Sequence, residues 1–176
     1  MARSRKEPPA LRDLRPSPSR LRGKRVALVA SRFNAAITSA LVEGARAALE
    51  QAGIARHAIQ TVWVPGAFEL PVMAAAVIAA QRPDAVVALG CLIKGETPQY
   101  AAIGEAVAQG LTQVALAGHV PVTFGVVIAE TAGQARARAG LAGRQGNRGA
   151  DAAFAAVAMI AQLDQLTVAS RNGVRR

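Results

Sequence analysis

The chain contains a single cysteine, Cys91. That excludes an internal disulfide and fits a reducing compartment, so the expected location is the cytoplasm. No apolar run is long enough to span a bilayer, and no membrane partner is expected. Aromatic residues are scarce, six in 176, so core packing is left to Ala, Val, Leu and Ile. Charge of one sign is also missing from most of the chain. Residues 26–170 hold nine Lys/Arg and nine acids and sum to zero. The net charge of +10 belongs to the ends: +7 in residues 1–25 and +3 in residues 171–176. Nothing in the balanced region supports nucleic-acid binding, which is not expected of this chain.

What is present is apolar: 52% of the residues, enough for one globular domain with a sizeable core. The first tail carries Pro8, Pro9, Pro16 and Pro18 among its basic residues, a composition that favours disorder. Glu7, Asp13 and the lack of an amphipathic pattern count against a transit peptide. The expected organisation is a disordered basic tail over 1–23, a folded domain over 24–166 and a basic tail over 167–176.

Strand-like and helix-like segments alternate. Runs at 25–30, 59–64, 85–89 and 120–128 read as strands. Helices are expected at 36–52, capped by Asn34 and ended by Gly53, and at 69–81, stopped before Pro83. Others are expected at 99–117, ending at Gly118, and from a Thr131 cap to Arg138, with Gly140 at the end. A glycine-rich loop over 140–149 leads to a last helix ending near Leu166. This order predicts an α/β fold, a three-layer α/β/α sandwich with a four-stranded parallel sheet. Such sheets bind ligands at the carboxyl ends of their strands. Attention therefore falls on loops 31–34, 65–69 and 90–99, and on the end of the fourth strand near Phe124.

Four of the six aromatics, Phe33, Phe68, Tyr100 and Phe124, fall in or beside those places, an arrangement suited to a planar ligand. Trp63 and Phe154 read as core. The stretch Gly90-Cys-Leu-Ile-Lys-Gly-Glu-Thr97 offers a flexible glycine, a lysine, an acid and a hydroxyl, as a phosphate-handling loop does.

Six segments occur in order: Ser31-Arg-Phe-Asn34, Val64-Pro-Gly-Ala-Phe-Glu-Leu-Pro71, Leu89-Gly-Cys-Leu-Ile-Lys-Gly-Glu-Thr97, Val120-Pro-Val-Thr-Phe-Gly125, Arg138-Ala-Gly140 and Gly146-Asn-Arg-Gly149. Together they resemble the lumazine synthases of riboflavin biosynthesis, across roughly residues 25–163. The resemblance implies a flavodoxin-like fold and a transferase. It would condense 5-amino-6-(D-ribitylamino)uracil with 3,4-dihydroxy-2-butanone 4-phosphate to 6,7-dimethyl-8-ribityllumazine, with no cofactor and no metal. By matching position, Phe33 would stack on the pyrimidine. Backbone at Ala67 and Phe68, with the Glu69 carboxylate, would hold the ribityl chain. The Cys91, Leu92 and Ile93 backbone would meet the pyrimidine edge, leaving Cys91 an inert thiol. Glu96, Thr97, Arg138 and Arg148 would bind phosphate, with Arg138 and Phe124 supplied across a subunit interface. Arg148 stands where lysine is common in the family.

Two positions depart from the pattern. Gln99 replaces the histidine that shuttles protons, and Ala101 stands where an aspartate is common. Glutamine does not titrate and cannot act as a general acid or base. His57 and His119 lie at the opposite end of the sheet, and Glu96 is a nearer titratable group. Two readings stay open: a synthase with weakened proton transfer, and a non-catalytic relative that binds a lumazine or flavin or serves as an assembly. The family's sites lie between subunits of a pentamer. The longer Leu141–Asn147 loop leans toward a free homo-pentamer over a sixty-subunit shell.

Overall fold

The computed structural model describes residues 16–143 and 146–173, with side chains to Thr167. Most of the basic tail expected over 1–23, two residues of the glycine-rich loop and the last three residues lie outside that range.

Strands β1 (Val26–Ser31), β2 (Ile59–Val64), β3 (Ala85–Ile93) and β4 (Val122–Ala129) form one sheet in the order β2-β1-β3-β4, every neighbouring pair parallel. Every residue of β1, and every residue of β3 but the last, is buried. Both strands are covered on two faces, which is why they read as continuous apolar runs. The helices are α1 (Ala35–Ala52), α2 (Leu70–Gln81), α3 (Gln99–Gly118), α4 (Ala132–Arg138) and α5 (Arg148–Gly173). One core layer joins Leu28, Ala30 and Leu89 to Leu41 and Leu49 of α1 and to Val157 and Ile160 of α5. The other joins Val29, Val86 and Ala88 to Leu70 and Val77 of α2 and to Val107 and Leu111 of α3. The result is the expected flavodoxin-like α/β/α sandwich, with its topological switch point between β1 and β3.

The α1–α5 contact explains the abundance of alanine. Ala45, Ala48 and Ala52 of α1 share one buried cluster with Ala152, Ala153 and Ala156 of α5, and small side chains let two helix backbones approach closely.

Several boundaries differ from the sequence reading, each for a local reason. β3 does not stop at Leu89. It pairs with β4 through Ile93, opposite Ala129, so Gly90–Ile93 is strand and not flexible loop. Gly90 sits in a tight space: a β-carbon there would lie 3.1 Å from Ser31 Oγ and 3.3 Å from Leu70 Cδ1. β4 begins at Val122, after Pro121, which has no N–H to donate. α3 runs one residue past the expected end, and His119 takes the left-handed conformation after it at φ 52°. α5 continues beyond Leu166 to Gly173, so part of the expected C-terminal tail is helical. At the other end Pro18–Leu21 forms a 3₁₀ turn whose Leu21 is buried in the core. One apolar side chain thus anchors this part of the expected tail, whose residues 1–15 lie outside the described range. Lys24 then ties the fold's edges, meeting Asp84 at 3.1 Å and Asp164 at 2.8 Å. Burial pulls its ammonium down, but the bonds to Asp164 and Asp84 outweigh this and hold it above the usual lysine range. The Thr131 cap is present, its side chain accepting from the Gln134 N–H at 3.1 Å. Gly53 closes α1 at φ 106°.

Candidate functional site

The carboxyl ends of β1, β2 and β3 are stitched together by hydrogen bonds that leave the intervening side chains free. After β1, the Arg32 N–H donates to the Val64 carbonyl at 2.8 Å and the Phe33 N–H to the Pro65 carbonyl at 3.1 Å. This lays Phe33 beside the Pro65–Glu69 loop. The backbone is fixed, yet the rings stand in solvent: Phe33 is 70% exposed and Phe68 63%. Two aromatics held outward at a sheet's carboxyl edge are a surface waiting for an apolar, planar partner.

Asn34 links this loop to β3. It was expected to cap α1, but its side chain makes no cap hydrogen bond. Instead the residue sits in the left-handed region at φ 57°, ψ 44°. Its Nδ2 donates to the Cys91 carbonyl at 2.9 Å across the β1/β3 switch point. The left-handed turn is the reason: it aims the amide at the neighbouring strand, not at the first turn of α1. Asparagine tolerates this conformation better than most residues. Asn34→Gly should therefore cost only the lost bond, about 1 kcal/mol, whereas Asn34→Ala should cost about 2 kcal/mol because backbone strain is added. Urea midpoints measure the difference; equal costs would remove strain from the account.

The Cys91 carbonyl is thus already engaged. The Cys91 thiol is buried, and burial pushes it up to about 11. At pH 8 only about one molecule in 10³ carries the thiolate, so native protein should resist iodoacetamide while urea-unfolded protein reacts at once. Rapid alkylation of the folded chain would contradict the buried placement.

Glu69 immediately precedes α2, and its Oε2 accepts from the Gly66 N–H at 2.8 Å. The carboxylate rigidifies the loop, lies at the favourable positive end of a helix dipole and retains free lone pairs. Ala67 is buried beneath the loop. Ser31 Oγ is fully buried there and, among the described residues, has no hydrogen-bond partner.

Glu96, Thr97 and Gln99 follow β3 within six residues of Ile93, all exposed. Gln99 is the first residue of α3. That helix has Pro98 before it, no side-chain cap and no acid in its first turn, so its positive end is open to an anion.

Three expected residues do not join this cluster within one chain. Phe124 is not at the end of β4. It pairs with Ala88, five residues before the Ile93 level, or about 17 Å along the strand. β4 runs past it to Ala129, one residue beyond the expected strand, so the placing of Phe124 near the strand's carboxyl end is corrected. It is 39% exposed on the sheet's edge strand. Arg138 and Arg148 end α4 and begin α5, where with Gly146 and Asp151 they line a separate hollow of about 370 Å³. Arg148 also pairs with Asp151 at 3.6 Å, both half-exposed. His57 and His119 stand at the amino ends of β2 and β4, away from the cluster, as the sequence reading placed them. Among the described residues no group of His, Cys, Asp and Glu is arranged to hold a metal ion.

Sequence reasoning passed over two residues: Asn34 as a bridge to β3 and Asn147 as a bridge between α1 and the end of α4. Both looked like ordinary loop or cap residues, and only a contact distant in sequence distinguishes them.

The chain is similar to known proteins over this whole region. Residues 23–164 match the family of 6,7-dimethyl-8-ribityllumazine synthase. A 6,7-dimethyl-8-ribityllumazine synthase of Kineococcus radiotolerans is 50% identical over 119 residues, covering 68% of this chain and 72% of that one. That of Gemmatimonas aurantiaca is 44% identical over 118 residues, 67% and 72% of the two chains. That of Leuconostoc mesenteroides is 42% identical over 117 residues, 66% and 75%. With the parallel sheet, the outward aromatics and the loops at its carboxyl edge, these matches make the chain a member of the 6,7-dimethyl-8-ribityllumazine synthase family.

Proposed function

We propose that this chain condenses 5-amino-6-(D-ribitylamino)uracil with 3,4-dihydroxy-2-butanone 4-phosphate, releasing phosphate and water and forming 6,7-dimethyl-8-ribityllumazine. The observation that carries the reading is the hydrogen-bonded gathering of Phe33, the Ala67–Glu69 loop and the Cys91–Ile93 edge at one switch point. Phe33 stacks on the pyrimidine, whose edge meets the backbone of Cys91, Leu92 and Ile93. Ala67, Phe68 and Glu69 hold the ribityl chain, Glu69 accepting from its hydroxyls. The phosphate sits at the open start of α3, met by backbone N–H groups at Glu96 and Thr97 and by the Thr97 hydroxyl. Arg138 and Arg148 close the phosphate site from a neighbouring copy, and Phe124 walls the pyrimidine from across the same interface. This division fits a site completed by assembly, because the arginine hollow contains none of Phe33, Glu69, Thr97 or Gln99.

Catalysis on this reading is mainly positioning. Bringing an amine and a ketone together in reactive geometry is worth several kcal/mol by itself. The Gln99 side chain orients by hydrogen bonding and moves no proton. Mixing both substrates with the protein should produce the lumazine absorbance above the uncatalysed background. Tight flavin binding with no such turnover would favour the second reading, a binding protein, which the non-titrating Gln99 alone supports.

Assembly has its own support. An apolar groove of about 600 Å³ runs between α2 and α3, lined by Pro71, Val72, Ile78, Val114 and Ala117 among others. Val72 and Leu116 are 68% and 71% exposed on these helices. A second copy would cover them, and the assembly is a homo-pentamer. Light scattering should report about five times the 18.1 kDa chain mass; a monomer, or a particle near sixty copies, would contradict this. The enzyme works in the cytoplasm, without a cofactor.

A further inference from the structure

Asn147 uses one side chain to hold three segments. Its Nδ2 donates to the Ala40 carbonyl of α1 at 2.9 Å and to the Ala139 carbonyl just after α4 at 2.8 Å. Its Oδ1 accepts from the Ala150 N–H in the first turn of α5 at 3.1 Å. Both amide protons meet carbonyls and the amide oxygen meets an N–H, so this orientation alone satisfies all three contacts. Its backbone also forms an isolated antiparallel bridge with Ala139. The surroundings fit closely, at Gly44 above all. A β-carbon at Gly44 would overlap the Asn147 amide, and one at Gly140, at φ 75°, would lie 3.5 Å from Asn147 Cβ.

Capping α5 needs only the Oδ1 contact. The two donated bonds do something else. Ala139 follows Arg138, and Asn147 precedes Arg148, so the bonds fix the origins of the two arginines that line one hollow. Among the described residues neither arginine has a stronger tether: both side chains are exposed, and Arg148 meets Asp151 only at 3.6 Å. Long exposed side chains recognise a phosphate well only if their backbones are held at a fixed spacing.

We propose that Asn147 is the positioning residue of the phosphate end of the site, setting the Arg138–Arg148 spacing without touching substrate. This rests on the reading of those arginines as phosphate ligands. Asn147→Ser keeps a capping oxygen and removes the bridge. Gly44→Ala acts independently, pushing the amide aside while improving the helix propensity of α1. Each should raise KM for the butanone phosphate about tenfold, with KM for the aminouracil unchanged within twofold. Steady-state kinetics with each substrate varied in turn, beside Arg138→Ala, tests this. An unchanged phosphate-substrate KM in folded Asn147→Ser and Gly44→Ala, with a raised one in Arg138→Ala, would overturn the inference alone. An unchanged value in Arg138→Ala would overturn the phosphate reading and the inference with it. Loss of cooperative thermal unfolding in both Asn147→Ser and Gly44→Ala would also overturn it, since the side chain would then hold the fold and not the arginines.

Discussion

Gln99→His should raise the rate of lumazine formation by about 10²-fold, the lower end of what a positioned general acid–base contributes. The reason lies in what Gln99 can and cannot do. Its amide donates and accepts hydrogen bonds but has no ionisation in the working range, while imine formation and phosphate loss both require a proton to move. The residue opens α3, is exposed and has no neighbouring acid in the first turn. An imidazole would fit there without repacking. The positive end of the helix disfavours a second positive charge, so that histidine should ionise somewhat below about 6.5 and be neutral at pH 7. The variant should therefore gain a pH–rate inflection near or below that value, an inflection the unaltered chain lacks. Substrate affinities should stay within a few-fold, since in the proposed site binding rests on Phe33, Glu69, Thr97 and Arg138. An unchanged kcat with unchanged KM values would mean that position 99 does not face the reacting atoms.

Gly149→Ala should destabilise the fold by about 3 kcal/mol, the upper end for overpacking, lowering Tm by roughly 6–12 °C. Gly149 lies in the first turn of α5 where it crosses α1, and a β-carbon would land on the Leu41 carbonyl. That atom is rigid backbone, not the end of a side chain, so nothing local can yield. The helices would have to part, opening the alanine seam of Ala45, Ala48, Ala152 and Ala156. Helix propensity alone predicts the opposite sign, since alanine exceeds glycine by about 1 kcal/mol. A thermal scan decides between them: a higher Tm would show that α5 sits farther from α1 than the structure places it.

The fold was legible in the sequence because its strongest signals are local. Alternating apolar runs and helical stretches, with Gly53 and Thr131 as boundaries, were enough to imply the parallel sandwich. What escaped was set by partners distant in the chain. β3 runs on to Ile93 because β4 lies beside it, which glycine and cysteine at 90 and 91 do not announce. Asn34 has a capping residue's chemistry but spends it on Cys91, 57 residues away. Leu21 belongs to the core although its neighbours look like tail. The gathering of the residues proposed to meet the pyrimidine was likewise legible as motif, since Phe33, Phe68, Glu69 and Cys91–Ile93 occupy consecutive loops or strand ends at one edge. The phosphate end was legible only as residue types. Arg138 and Arg148 are 10 positions apart in sequence, and their shared hollow depends on Asn147.

The most direct test of the account is the rate of lumazine formation by the unaltered chain, measured against the uncatalysed condensation from pH 5.5 to 8. The account predicts a rate above background throughout, with no inflection near pH 6.5 arising from position 99. A rate equal to background at every pH would contradict it.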